Sequence, residues 1–86
     1  MYQIELKSSA RKDLDRLTGD AWQRVREKLL ALRDDPRPPG CTKLTGSQNV
    51  WRLRVGDWRV IYEIDDAARL VTILRVKHRR DVYRSR

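Results

Sequence analysis

An α+β fold is what this sequence predicts: an N-terminal strand, an antiparallel helical hairpin, then a three-stranded antiparallel meander, with the helices packed on one face of a twisted four-stranded sheet. Three observations predict it. The run Trp51 to Tyr62 (WRLRVGDWRVIY) alternates apolar and basic residues on either side of Gly56-Asp57, the signature of a tight β-hairpin. Apolar residues recur at helical spacing from Ala10 to Leu32, interrupted at Thr18-Gly19. Strand-like runs stand at both ends, at Tyr2 to Leu6 and at Arg69 to Lys77 (RLVTILRVK).

Taken in order, Tyr2, Ile4 and Leu6 alternate with Gln3, Glu5 and Lys7, a half-buried strand ending at Ser8-Ser9, where a serine can cap a helix. Ala10, Leu14 and Leu17 carry the first helix, and Thr18 or Asp20 can cap the second. Trp22, Val25, Leu29 and Leu32 line one face of that second helix, which Asp34-Asp35-Pro36 ends. Helices so closely joined return antiparallel. Pro36 to Asn49, rich in Pro, Gly and Thr, shows little periodicity and reads as a loop long enough to cross the domain. In the hairpin a two-residue loop sets Val55 against Trp58. Counting outward then pairs Arg54 with Arg59, Leu53 with Val60, Arg52 with Ile61, and Trp51 with Tyr62. Asp65 to Ala68 turns into the last strand, whose register stays open between Val71/Ile73 and Leu70/Leu74 as core residues. The tail from Lys77 to Arg86 is expected as a short helical turn or arm.

With 86 residues, 40% apolar and 37% charged, the chain is expected to form one domain, 1–86, with a core only just sufficient for its size. The net charge is +8, of which residues 47–86 carry +5. That excess favours phosphate-rich partners, nucleic acid first among them. No long apolar stretch, broad amphipathic face or signal peptide is visible, so a membrane is not expected and cytoplasm is. Cys41 stands alone and cannot form an intramolecular disulfide, and a single histidine makes a zinc site implausible. No metal or other cofactor is expected.

The hairpin carries the functional signal. Period-2 alternation gathers Trp51, Leu53, Val55, Trp58, Val60, Tyr62 and Ile64 on one face and Arg52, Arg54 and Arg59 on the other. Like charges directly opposite destabilise a hairpin. Convergence of Arg52, Arg54 and Arg59 on an anion explains their retention better than a solvated basic surface does. The tryptophans Trp22, Trp51 and Trp58 lie on apolar faces and are expected in core packing rather than on a base-stacking platform.

The string LTGSQNVWRLRVGDWRVIYEI, the strand after it and the terminal HRRDVYR resemble the RelE/ParE superfamily of bacterial toxins, the RelE branch most closely, over essentially the whole chain. The resemblance implies a RelE-like microbial RNase fold. It implies the toxin of a type II toxin–antitoxin system: a ribosome-dependent endoribonuclease that cleaves mRNA in the ribosomal A site and inhibits translation. Its partners would be the ribosome, mRNA and a neutralising antitoxin. In RNA-cleaving members basic side chains on two sheet strands and a terminal Arg/Tyr pair surround the scissile phosphate. Those positions are matched here by Arg52, Arg54, Arg59, Arg79 and Tyr83. The best-known members have lysines where this chain has Arg52 and Arg54. Arginine is effectively always protonated, so Arg54 is a poor base. The alternative within the superfamily is a ParE-like toxin that blocks DNA gyrase without nuclease activity.

The implied reaction is attack of a ribose 2′-OH on its own phosphate. It requires a base, stabilisation of phosphorane charge and protonation of the leaving 5′-oxygen. His78 and Glu63 are the candidate acid/base groups, Glu63 with a salt bridge as its simpler role. Lys77, Arg80, Arg84 and Lys43 are expected to contact RNA or ribosome. Such sparse acid/base equipment fits an enzyme whose substrate the ribosome aligns.

Overall fold

Eight elements follow one another in the computed structural model, which describes the backbone of residues 1–84 and the side chains of residues 1–81. They are β1 (Gln3–Leu6), α1 (Ser8–Asp15), α2 (Gly19–Ala31), β2 (Thr42–Lys43), β3 (Val50–Val55), β4 (Trp58–Asp65), β5 (Leu70–His78) and α3 (Arg79–Arg84). The side chains of Tyr83 and Arg84, and the backbone of Arg86, lie outside the described residues.

The strands form one sheet in the order β1-β5-β4-β3-β2. It has five strands where the sequence predicts four. The addition is β2, two residues inside the expected loop, pairing Thr42 with Arg52 and Lys43 with Trp51. Two residues cannot display an alternating period, so pattern could not reveal them. The meander is antiparallel, while β1 joins β5 in parallel, Ile4 beside Val71. That places β5 inside the sheet and suits its almost unbroken apolar run.

The hairpin forms in the register its alternation dictates, from Val55 opposite Trp58 out to Trp51 opposite Tyr62. Gly56 turns the chain at φ 60° whereas Asp57 keeps a negative φ, the sign pattern of a type II′ turn with glycine at its first central position. Between β4 and β5 the register shifts. Tyr62 faces Ile73 but Ile61 faces Arg75, so Leu74 is one residue extra. This bulge resolves the open register: Val71 and Ile73 enter the core, and Val76 resumes on the same side beyond it.

The core joins Leu53, Val55, Val60, Tyr62, Ile64, Val71, Ile73 and Val76 of the sheet to Ala10, Leu14, Leu17, Val25, Leu29 and Leu32 of the helical hairpin. Trp22 does not join it. The ring is 41% exposed and borders surface clefts with Leu14 and Leu17 on one side and Ile4, Leu6 and Leu30 on the other. Trp51 and Trp58 are half-buried and pack on the rim. Large rings bury most of their area yet seldom all of it, which a periodic pattern does not register.

Neither helical hairpin cap is a side chain. Lys7 and Thr18 occupy the N-cap positions without side-chain bonds. Ser9, expected near a cap, instead donates its hydroxyl to the Leu74 carbonyl at 2.8 Å. The reason is the sheet edge. β1 ends at Leu6, opposite Ile73, while β5 runs on to His78, so α1 covers the unpaired stretch. Asp13 of α1, 6% exposed, accepts the Val76 N–H at 2.9 Å and the Arg75 Nε and Nη2 at 2.8 and 3.1 Å. A covered edge is not a template for another chain's strand.

Tyr62, fully buried, donates its hydroxyl to the Pro36 carbonyl at 2.8 Å and so ties the start of the crossing loop to the core. Burial pushes its phenol well above the ordinary value. Tyr62→Phe strands a buried carbonyl while keeping the ring; we expect a loss of about 1–2 kcal/mol in urea unfolding. A variant as stable as the parent would show that the hydroxyl does not hold the loop. No helix among the described residues is long and apolar enough to cross a membrane.

Candidate nucleic-acid interface

The ladder sets the functional candidates in rows. Arg54 on β3 pairs with Arg59 on β4, and Arg59 with Lys77 on β5, so three basic residues follow one another across adjacent strands about 4.8 Å apart. The next row is Arg52, Ile61 and Arg75, and beyond it Val50, Glu63 and Thr72. Positive charge is therefore concentrated toward the Gly56-Asp57 end and falls away toward Glu63. All the rows lie on the face opposite the buried apolar one.

Arg59 does not project freely. Its Nη1 donates to the Gly56 and Trp58 carbonyls, each at 3.0 Å, folding the guanidinium back over the turn. Arg79 arrives at the same turn from the start of α3. Its backbone N–H donates to the Asp57 carbonyl at 2.7 Å, and its Nε stands 3.9 Å from Asp57 Oδ1. Three consecutive carbonyls, Gly56, Asp57 and Trp58, thus each accept from one of two arginines that lie 20 positions apart in the chain. Arg52 and Arg59 are half-buried and Arg54 and Arg79 exposed, so the cluster is open to a ligand.

Two cations not singled out by sequence also bear on this region. Arg24 of α2 reaches over the turn, where a Cβ added to Gly56 would lie 3.5 Å from its Nη1. Arg75 belongs by register to the Arg52 row, but its guanidinium turns to Asp13. Neither was legible, because one depends on helix placement and the other on the bulge at Leu74.

The remaining candidates separate. His78 pairs with Trp58 on the helix side of the sheet, its ring edge-on to the indole at 5.3 Å, and its Nδ1 accepts the Arg80 N–H at 3.3 Å. It does not face Arg52, Arg54 or Arg59. Glu63 shares their face but sits four residues along β4 from Arg59, about 13 Å away at strand rise. Among the described residues it makes no ion pair. Lys43 pairs with Trp51 and so shares the indole's side of the sheet rather than the arginines'. Lys77 borders an open cleft of about 320 Å³ with Asp13, Arg16, Arg75, His78 and Asp81. Arg80 is exposed on α3, whose backbone also carries Tyr83 and Arg84.

The arrangement is an open cluster of guanidinium groups, suited to a phosphodiester.

Comparison with known proteins gives the family. Residues 4–83 match the family described as the ParE toxin of the type II toxin–antitoxin system parDE. Toxin RelG of Mycobacterium tuberculosis is 33% identical over 84 residues, covering 96% of this chain and 97% of that protein. Among solved structures, the archaeal RelE–RelB complex from Pyrococcus horikoshii superposes with a TM-score of 0.81 at 29% identity, over 91% of this chain and 94% of the matched one. The M. tuberculosis toxin–antitoxin complex RelBE2 gives 0.79 at 30% identity, over 90% and 96%. These likenesses extend over nearly the whole chain, which belongs to the RelE/ParE superfamily of type II toxin–antitoxin toxins, on its RelE branch.

Proposed function

We propose that this toxin is a ribosome-dependent endoribonuclease that cuts mRNA in the A site, with Arg52, Arg54, Arg59, Arg79 and Tyr83 around the scissile phosphate. The observation that carries the reading is the convergence of Arg59 and Arg79 on one turn beside Arg54, which brings cations from two strands and a helix to one place. The 2′-OH attacks its own phosphate, the 5′-oxygen leaves, and a 2′,3′-cyclic phosphate forms. Guanidinium forks neutralise the nonbridging oxygens as charge grows on them, the largest contribution such a site offers. Arg79 stands by the leaving oxygen. The ribosome supplies alignment, and activity on free RNA is weak. The cell compartment of such a reaction is the cytoplasm, and Lys77, Arg80 and Arg84 add contacts to RNA or ribosome.

The base is the open position in this chemistry. His78 faces the helix side, and Glu63 is distant from Arg59. Arg54→Lys tests the point. A lysine opposite Arg59 loses its proton more easily than an isolated one. We expect the cleavage rate of this variant to rise with pH more steeply than the parent's. Parallel pH profiles would remove position 54 from any proton transfer.

RelE relatives solved with RelB antitoxins support a protein antitoxin as partner, acidic residues meeting the arginine face. The matching family description, which names a ParE toxin, favours one other reading, gyrase inhibition without cleavage. Primer extension on a defined message in a purified translation system decides. A ribosome-dependent cut within the A-site codon supports the nuclease; an intact message with impaired gyrase supercoiling replaces it.

A further inference from the structure

We infer that Asp57 and His78, neither part of the arginine cluster itself, are positioning residues that hold Arg79 at the hairpin turn; the consequence for catalysis rests on the nuclease reading above. The chain leaves β5 at His78 and must start α3 at the next residue. Four contacts define that start. The Asp57 carbonyl takes the Arg79 N–H at 2.7 Å, and the Asp57 carboxylate faces Arg79 Nε at 3.9 Å. His78 Nδ1 takes the Arg80 N–H at 3.3 Å, satisfying an N–H that a first turn leaves without a partner. The His78 ring is itself held edge-on to Trp58, at 5.3 Å between centroids.

Gly56 and Trp58, the residues on either side of Asp57, supply the carbonyls that Arg59 Nη1 binds. One turn therefore orients the Arg59 guanidinium and receives the backbone of Arg79, with the Arg79 guanidinium near its carboxylate. A six-residue helix has little intrinsic stability, so its placement depends on such anchors. The Asp57 carboxylate faces Arg79 from the Nε side, at the turn that Arg24 also reaches. Its use exceeds turn formation, for which the type II′ geometry asks only for glycine at position 56.

The test uses the full-length chain in two assays. In ¹H–¹⁵N spectra of the free protein, Asp57→Asn is expected to shift the Arg79 Nε–H resonance and leave that of Arg52 in place. His78→Ala is expected to lose hydrogen-exchange protection at the Arg80 amide. His78→Asn, whose side-chain oxygen can accept the same N–H, restores it. In A-site cleavage, Asp57→Asn and His78→Ala lower the maximal rate about ten- to a hundredfold with half-saturation unchanged, and His78→Asn recovers most of it. An unmoved Arg79 Nε–H, an Arg80 amide equally protected in His78→Ala, or full-rate cleavage by both variants overturns the inference. If the parent protein cuts no message, the nuclease reading fails and the spectra alone decide the positioning.

Discussion

Arg59→Ala is expected to lower A-site cleavage by about 10²–10³-fold, equivalent to roughly 3–4 kcal/mol of transition-state stabilisation. Arg59 is the central member of the Arg54, Arg59 and Lys77 row, and its guanidinium is already oriented by two carbonyls of the turn. A group held in place before charge develops loses little reorganisation energy when it does. The same substitution is expected to leave folding stability within about 0.5 kcal/mol of the parent, because relief of the repulsion between directly opposed Arg54 and Arg59 offsets the lost bonds to the turn. Primer extension and urea unfolding on one preparation check both halves. Retained cleavage would remove Arg59 from the site. Lost cleavage accompanied by unfolding would make the arginine structural.

The largest stability effect is expected at Asp13, where Asp13→Ala should cost about 2–4 kcal/mol. Its carboxylate is nearly buried and joins α1 to β5 through the Val76 N–H and two nitrogens of Arg75. Removing it leaves a buried N–H without a partner and a guanidinium without its counter-charge. Burial raises the Asp13 carboxyl, but the hydrogen bonds from Arg75 and Val76, with the charges of Arg75 and Lys77, outweigh it and hold the group below its ordinary 3.8. The folded value lies below the unfolded one. The stabilisation is therefore complete above about pH 4 and is lost as pH falls through the folded value. Asp66, held low by Arg37 and Tyr2 on the exposed side, adds to the same acid limb with more screening. Acid unfolding of Asp13→Asn should thus be flatter than the parent's below pH 4 without becoming flat. Coincident acid limbs would show that Asp13 does not carry the linkage.

How much was legible followed from how local each determinant is. The Arg54/Arg59 pairing needs only a two-residue turn and a period of two, both visible in twelve consecutive residues, and the structure has that register. The helical hairpin and its core positions Val25, Leu29 and Leu32 follow from spacing within one element. The two-residue β2 lies below the length at which a period exists. Trp22 matches the apolar face of α2 by spacing yet remains exposed, because what lies beneath a helix turn is set by other elements. His78 neighbours Arg79 in sequence, but strand alternation turns its ring toward Trp58 and away from the arginines.

By itself the sequence determined the α+β class, the hairpin register and the opposition of like charges on one face, since each depends on contacts between near neighbours along the chain. Only the tertiary structure decided that β1 lies parallel to β5, that a bulge at Leu74 sets Arg75 beside Ile61 while its guanidinium turns to Asp13, and that Asp57 receives Arg79. Those outcomes join residues separated by tens of positions. They arise where packing, edge coverage and unpaired backbone groups are satisfied together, and no local period encodes that joint solution.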